Sequence, residues 1–435
     1  MGANPVSRLV IRNGTLIDGS GRAPQANDAI VIEDGRIVGV GRESAGAAEG
    51  AGGAATVIDA SGSFILPGLI DGHCHLSLHQ AAMPGIRYPS SAEFSTIWAI
   101  RAATRALRAG VTGVSVPGGK WYVDPAVRDA VSAGLVEGPR IFCGARGLTP
   151  YGGIFDQEPA WQETPPHSSG VRCNGVDEFV AETRRQCKHG VNLIKLADAD
   201  WGQVQTMSEQ EVAAVVTEAH RRGVRVAIHA RGSGAVRAAA LGGVDWIFHA
   251  DLATDEDLDL VAERRIPIMP VLTSVFLGIE RGREVGVDDA MRDTLKHQMD
   301  LAVEMVVKAR KRGITILSGT DSGNAYAFEH GAYHAMEAQL LAQHAGFTPM
   351  EAIVSMTRDN AMTIGLEGQV GVIAPGMLAD LIVCRADPLR DLAVLRDRGN
   401  LAAVVKAGRP VALDTEPFGA LPTEPRRAGS SAFGW

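Results

Sequence analysis

The sequence predicts an α/β protein: a (β/α)8 TIM barrel with a small β-sandwich domain formed from both chain ends. Three observations predict it. Through the middle of the chain, apolar β-like runs alternate with amphipathic helical stretches in eight units, the number that closes a barrel. Polar residues stand at the ends of several of these runs, where a parallel barrel converges its strand termini on one face. Both chain ends carry short β-branched runs broken by tight-turn dipeptides. The 435 residues suffice for one barrel plus an accessory module. The expected boundaries are 1–66 plus 368–435 for the sandwich and 67–367 for the barrel.

Leu9-Val-Ile-Arg-Asn-Gly-Thr-Leu-Ile-Asp-Gly-Ser20 and Ala29-Ile-Val-Ile-Glu-Asp-Gly-Arg-Ile-Val-Gly-Val-Gly41 read as antiparallel hairpins turned at Asn-Gly and Asp-Gly. Ala45 to Ala55 is low in complexity and reads as a surface loop. The first barrel strand ends at His73. Further strands are expected near 111–116, 140–144, 191–195, 224–229, 244–249, 266–272 and 314–320. Helices are expected at 95–109, 176–188, 208–222, 289–311 and 349–364. Residues 147–175 form a connection long enough to be a binding loop or lid, and it should overhang the face where the strands end. Asp380-Leu-Ile-Val-Cys384 and Leu401 to Val411 return to the strand pattern. The tail from about Thr415, rich in Pro, Gly and Ser, reads as loosely ordered or laid across a neighbouring subunit.

Charge and composition narrow the function. With 42 basic and 50 acidic side chains the net charge is -8, and no basic run offers a nucleic-acid or anionic-membrane surface, so a small-molecule substrate is expected. No apolar run approaches the roughly 18 residues of a membrane span, and Met1 to Arg8 lacks an apolar signal core, so a cytoplasmic enzyme is expected. Val6 stands where a myristoylation motif needs Ser or Thr. Five cysteines without a Cys-x-x-Cys argue against a disulfide scaffold or a thiolate zinc site. Cys74 should face away from its two histidine neighbours and serve packing. Gly39-Val-Gly41 lies in a β segment rather than at a strand-to-helix turn, and no phosphate-binding loop motif occurs.

In Phe64-Ile-Leu-Pro-Gly-Leu-Ile-Asp-Gly-His-Cys-His-Leu76, His73 and His75 are spaced i and i+2. In an extended strand that spacing brings two imidazoles to one side, which suits a metal; two hydrogen-bonded histidines are the plain alternative. Lys195, His229, His249 and Asp321 each follow an apolar run of their own. Asp321 in Gly319-Thr-Asp-Ser-Gly323 could also be a helix N-cap. Lys195 could be a salt-bridge or substrate-binding lysine.

Pro67-Gly-Leu-Ile-Asp-Gly-His-Cys-His75, Ile194-Lys195, Ile228-His-Ala230, Phe248-His249 and Gly319-Thr-Asp-Ser-Gly323 recur in an order and spacing that resemble the amidohydrolase superfamily, most closely its imidazolonepropionase-like and prolidase-like branch. Leu16-Ile-Asp-Gly-Ser20 and Gly371 to Leu381 extend the resemblance over nearly the whole chain. It implies two divalent metal ions, Zn²⁺ by the nature of the donors. His73, His75 and Asp321 would hold one and His229 and His249 the other, bridged by carbamylated Lys195. Asp321, Lys195 and His249 would be catalytic. The implied activity is hydrolysis of an amide C–N bond in a small molecule such as a dipeptide, N-acyl amino acid or aryl amide, by a metal-activated hydroxide. The alternative is a carbamate, urea or cyclic-amide hydrolase. A homo-oligomer is implied by the resemblance as well.

Substrate contacts are expected at Arg231, at His167 and Tyr151 on the long loop, and at His330 after the last strand. His79 and His334 stand nearby, with surface or capping roles equally open for His79. The chain departs from the branch in three places. His229-Ala-Arg231 replaces a His-Ala-His, Phe248-His249 replaces Glu-His, and Ala197-Asp-Ala-Asp-Trp201 replaces a Gly-Gly. A guanidinium at position 231 could grip a substrate carboxylate in two-pronged fashion, or pair with Asp251 or Asp255.

Overall fold

The computed structural model describes residues 8–41, 55–78, 91–324 and 329–413. His79, most of the Ala45–Ala55 stretch and the tail from Thr415 lie outside them.

Both chain ends meet in two sheets. One orders Arg36–Val40, Ala29–Glu33, Arg8–Arg12 and Thr56–Asp59; the other orders Arg409–Pro410, Leu401–Lys406, Leu381–Cys384, Phe64–Pro67, Thr15–Leu16 and Gln25–Ala26. Leu9, Ile11, Ile30 and Ile32 of the first share one apolar cluster with Leu16, Ile65, Leu381, Val383 and Val405 of the second. The expected Asp34-Gly35 turn is present. Both residues have positive φ, 47° and 79°, the mirror-type turn whose twist matches antiparallel strands paired from Glu33 to Arg36. Asn13-Gly14 differs from expectation. Its strands belong to different sheets, so this turn carries the chain from one sheet to the other, held by Asn27, whose amide donates to the Asn13 carbonyl at 2.9 Å.

The strands that carry the site are parallel. Leu69–Asp71, Val111–Val116 and Arg140–Cys143 form one sheet, and Gly170–Arg172, Gly147–Thr149, Leu193–Ala197, Arg225–Gly232, Trp246–Leu252 and Ile268–Met269 another. The Asn192 N–H donates to the Cys143 carbonyl at 2.8 Å, joining the two at one side. At the other, the expected strand at 314–320 is not a regular strand. It makes isolated parallel bridges, Ile316 with Ile268 and Ser322 with Cys74. Asn360 contributes to this: its side-chain amide accepts from the Ser318 N–H at 3.1 Å and donates at 2.6 Å to the Ser318 carbonyl, which it shares with the Gly72 N–H at 3.0 Å.

Side chains along these strands alternate between two environments, as the pleat requires. Leu193, Ala227, Trp246, Phe248, Met269 and Leu317 pack together on one face. Ile194, Leu196, Val226, Ile228 and Ile247 pack on the other against helix residues such as Val212 and Val215 of Glu209–His220 and Val236 of Ser233–Gly242. The expected helix at 349–364 is divided into Pro349–Ser355 and a 3₁₀ turn, Asp359–Ile364, which places Asn360 against Ser318. The 147–175 connection holds two short paired strands, where Gly147 and Gly170 leave room for the side chain of Phe155.

Candidate metal centre

His73 and His75 follow the strand Leu69–Asp71, and Asp321 follows the segment beside it. His73, His75 and Asp321 each bring one ligand atom to within 4.8 Å of the others, and all three are buried. Asp321 Oδ1 lies 2.9 Å from His75 Nε2 and 3.4 Å from His73 Nε2. His75 Nδ1 is 2.5 Å from the Gly118 carbonyl, an acceptor, so Nδ1 carries the hydrogen and Nε2 presents a lone pair. A lone pair facing a carboxylate oxygen at 2.9 Å is repulsive unless a proton or a cation lies between them.

His229 and His249 stand beside this group. Their ring centroids are 4.5 Å apart, and His249 is 6.3 Å from His73. Burial pushes the pKa of His73, His229 and His249 well below the ordinary histidine value, so these imidazoles are neutral donors. The buried Nδ1 atoms of His73 and His249 and the Oδ1 of Asp321 make no hydrogen bond among the described residues. Burial opposes ionisation of Asp321, yet its carboxyl is held well below the usual range, with the Asn324 amide donating to it at 3.0 Å. Neutral nitrogens and an ionised carboxylate with free lone pairs in a buried cluster fit a divalent cation.

Lys195 is buried between these groups, its Nζ 3.7 Å from the centroid of the Phe248 ring. Burial pushes its pKa down to about 7. Much of it is therefore a free amine near neutrality.

His249 reaches the site through backbone strain. Trp246 and Phe248 pack inward and Ile247 outward, so strict alternation would turn residue 249 outward. Residues 249 and 250 instead have φ of 73° and 60°, left-handed values that break the alternation and bring the imidazole to the inner side. Asp321 is also left-handed, with φ of 59°. Strain of this kind costs on the order of 1–3 kcal/mol per residue and concentrates at functional sites.

Asp71 supports the cluster from behind. Its fully buried carboxylate accepts from the His73 N–H at 3.0 Å, the Thr320 N–H at 3.1 Å, the Thr320 hydroxyl at 2.5 Å and His334 Nδ1 at 2.7 Å. It stands inside the Leu69-Ile-Asp-Gly-His run, yet sequence reasoning gave it no role.

A cavity of about 300 Å³ opens over the six candidate ligands. Arg231 lines it, and its Nη1 pairs with Asp251, one of the two partners anticipated for it. The long connection reaches the cavity through Ile154, Phe155, Gln157 and Ser169. Tyr151 and His167 do not line it. Tyr151 is half exposed under the Arg172 guanidinium, 4.8 Å from its ring centroid, and His167 lies beside Trp121 with centroids 6.3 Å apart. His330 is buried behind His75, with Nε2 3.2 Å from the His75 carbonyl and its own carbonyl accepting from Arg105, so it too is off the wall. Asp200, Gln298 and Asn324 do line the cavity and were missed. The signal for Asp200 was the unusual Ala197-Asp-Ala-Asp-Trp201.

A model of the amidohydrolase family matches residues 64–411. Ochratoxinase from Aspergillus niger is 25% identical over 432 residues, covering 92% of this chain and 86% of its own. Among solved structures, a prolidase complexed with N-methylphosphonate-L-proline superposes with a TM-score of 0.83 at 26% identity, covering 93% of this chain and 99% of its own. A Xaa-Pro dipeptidase with methionine bound in its active site gives 0.81 at 28% identity, covering 93% and 100%.

Proposed function

Since the chain belongs to the amidohydrolase family, we propose that it is a metal-dependent hydrolase of an amide C–N bond in a small molecule, of the dipeptide or N-acyl amino acid kind. The observation that carries this reading is the gathering of His73, His75, Lys195, His229, His249 and Asp321 around one cavity. The likeness to a prolidase and a Xaa-Pro dipeptidase supports it. Backbone bonds from Ile268 to Thr315 and from Gly72 to Ser318 support closure of the parallel strands into an eight-stranded barrel over 67–367. The apolar cluster shared by the two end sheets supports a sandwich domain over 1–66 and 368–435.

In this reading His73, His75 and Asp321 would hold one zinc ion and His229 and His249 a second, and the ions would supply acidification of water and polarisation of the scissile carbonyl. Lys195 would add an anionic ligand as a carbamate. Its free amine adds to CO₂ and loses one proton, giving an anionic oxygen donor where an ammonium would be repelled. Asp321, ionised and buried, takes the proton of the attacking water and passes it to the departing amine. His249 orients the carbonyl side of the substrate from across the cavity, and Phe248 fixes the Lys195 chain from beneath.

The test is elemental analysis and turnover of wild type, Lys195→Ala and Asp321→Asn on dipeptides, N-acyl amino acids and aryl amides. About two metals per subunit, lost in Lys195→Ala, with Asp321→Asn metal-bound but inactive, is the expected result. A metal-replete wild type inactive on every amide would overturn the reading, and release of CO₂ or ring opening would redirect it to carbamates or cyclic amides.

A further inference from the structure

Resting on the amide-hydrolase reading, we propose that Asp200 is a specificity-determining residue that binds the ammonium group of the substrate. With Arg231 it restricts turnover to amides flanked by a cation and a carboxylate, as in an unblocked dipeptide.

The argument starts from the loop after Leu193–Ala197. Asp198 is buried, and its carboxylate accepts from the N–H groups of Ala199 at 2.6 Å, Thr206 at 3.0 Å and Met207 at 3.0 Å. That side chain folds residues 199–207 into a closed loop. A second restraint is Gly202, with φ of 73°, where an added Cβ would lie 2.6 Å from Gly232 N and 2.8 Å from Arg231 Cβ. Between the two restraints sits Asp200, its carbonyl 3.3 Å from His229 Nε2. The backbone of Asp200 is thus fixed against the metal ligands by contacts that do not involve its carboxylate.

The carboxylate itself lines the cavity and has no hydrogen bond or ion pair among the described residues. Burial raises the pKa of Asp200, and Arg231, the cation on the same wall, opposes that through its charge but without a hydrogen bond. Its Nη1 is committed to Asp251 Oδ2, which Gln298 also holds at 2.8 Å, while its buried Nε has no partner. The guanidinium is braced from behind and presents a fixed cation on the cavity wall. Asp200, on the same wall, has no hydrogen-bonded partner of opposite charge among the described residues. Burial opposes ionisation of its carboxyl, so an incoming cation that joins it stabilises the charged form. In an unblocked dipeptide the ammonium lies on the acyl side of the scissile bond and the carboxylate on the amine side, so the two wall charges meet the two ends. An N-acyl amino acid has nothing for Asp200, and a neutral aryl amide nothing for either. A cavity of about 300 Å³ is at the small end for ligand sites and suits two residues better than a longer peptide.

The experiment uses metal-loaded enzyme and a matched set: a dipeptide, its N-acetyl derivative and its C-terminal amide. Wild type should favour the free dipeptide over the N-acetyl derivative by about tenfold to a hundredfold in kcat/KM, the scale of one charge-assisted hydrogen bond. Asp200→Asn should erase that preference through KM, leaving kcat, the N-acetyl derivative and the metal content little changed, and Asp200→Glu should restore part of it. Equal use of free and N-acetyl substrates by wild type would overturn this inference while leaving amide hydrolysis standing. So would an Asp200→Asn variant that loses metal, which would make Asp200 a ligand. Failure to hydrolyse any member would overturn both.

Discussion

Asp71 offers the sharpest test of how the metal ligands are held. Replacing it with alanine removes the acceptor for four donors, but the four are not equally stranded. The Thr320 N–H also points at the His73 carbonyl, 3.2 Å away, and the Thr320 hydroxyl lies 2.7 Å from Ser322 Oγ, so both keep a partner. His334 loses the partner of Nδ1, and its buried Nε2 has no partner among the described residues either, so its N–H is left unsatisfied. The His73 N–H has no second acceptor and is orphaned in a buried site, at a cost of about 1–3 kcal/mol. Adding a like cost for the His334 N–H and the net loss from the two displaced Thr320 bonds, about 0.5–1.5 kcal/mol each, Asp71→Ala should destabilise the metal-free protein by about 3–9 kcal/mol. Asp71→Asn keeps the oxygen that accepts from both backbone N–H groups and should lose less than about half as much. Because His73 would no longer be oriented, both variants should bind metal more weakly, by roughly ten- to a hundredfold, the usual range for partners behind a metal ligand. Urea denaturation in chelator gives the first quantity and competition with a metal indicator the second. Alanine and asparagine variants of equal stability, or wild-type metal affinity in both, would refute the reasoning.

Other expectations follow from single groups. Phe248 is fully buried beneath Lys195, so Phe248→Ala should cost about 3–5 kcal/mol in chemical denaturation, and a loss under about 1 would mean the space collapses around it. Glu337, buried against Leu272 and Thr273, has its carboxyl pushed from 4.5 up to about 7, chiefly by burial. Its folded pKa exceeds its unfolded one, so the stability it contributes is full below about pH 4.5 and is lost as pH rises to about 7. Glu337→Gln should therefore improve relative to wild type between pH 5 and pH 8; parallel denaturation midpoints across that range would contradict the assignment. Gly202→Ala places a side chain in a left-handed backbone position against Gly232 N, and should lower the melting temperature through about 1–2 kcal/mol of backbone strain plus the displaced loop. An unchanged melting temperature would show that the loop yields freely.

The candidate ligands were legible in the sequence because each follows an apolar run whose period is 2, and their order matched a family. What alternation could not deliver is the side on which His249 falls. Ile247 packs outward, so residue 249 should follow it; the left-handed φ of residues 249 and 250 reverses that, and nothing in Phe248-His-Ala-Asp251 encodes a positive φ. Tertiary packing imposes it, and the resemblance supplied what local propensity did not. The same holds at 314–320, where an apolar run read as a strand bridges its neighbours yet yields the Ser318 N–H to Asn360, more than forty positions along the chain. The substrate wall was least legible for a related reason. Tyr151, His167 and His330 were named by residue type and loop position, but the Arg172 guanidinium, the Trp121 ring and the His75 carbonyl claim them. Asp200 was marked only by the unusual segment that holds it, since its placement depends on three backbone bonds to Asp198 and on the absence of a Cβ at Gly202. The candidate metal ligands are set by strands whose pattern a sequence displays. Substrate contacts are set by loops whose shape is fixed by a few buried polar groups, and a reading that searched first for those anchors, Asp198 before Asp200 and Asp251 before Arg231, would have come closer to the wall the structure presents.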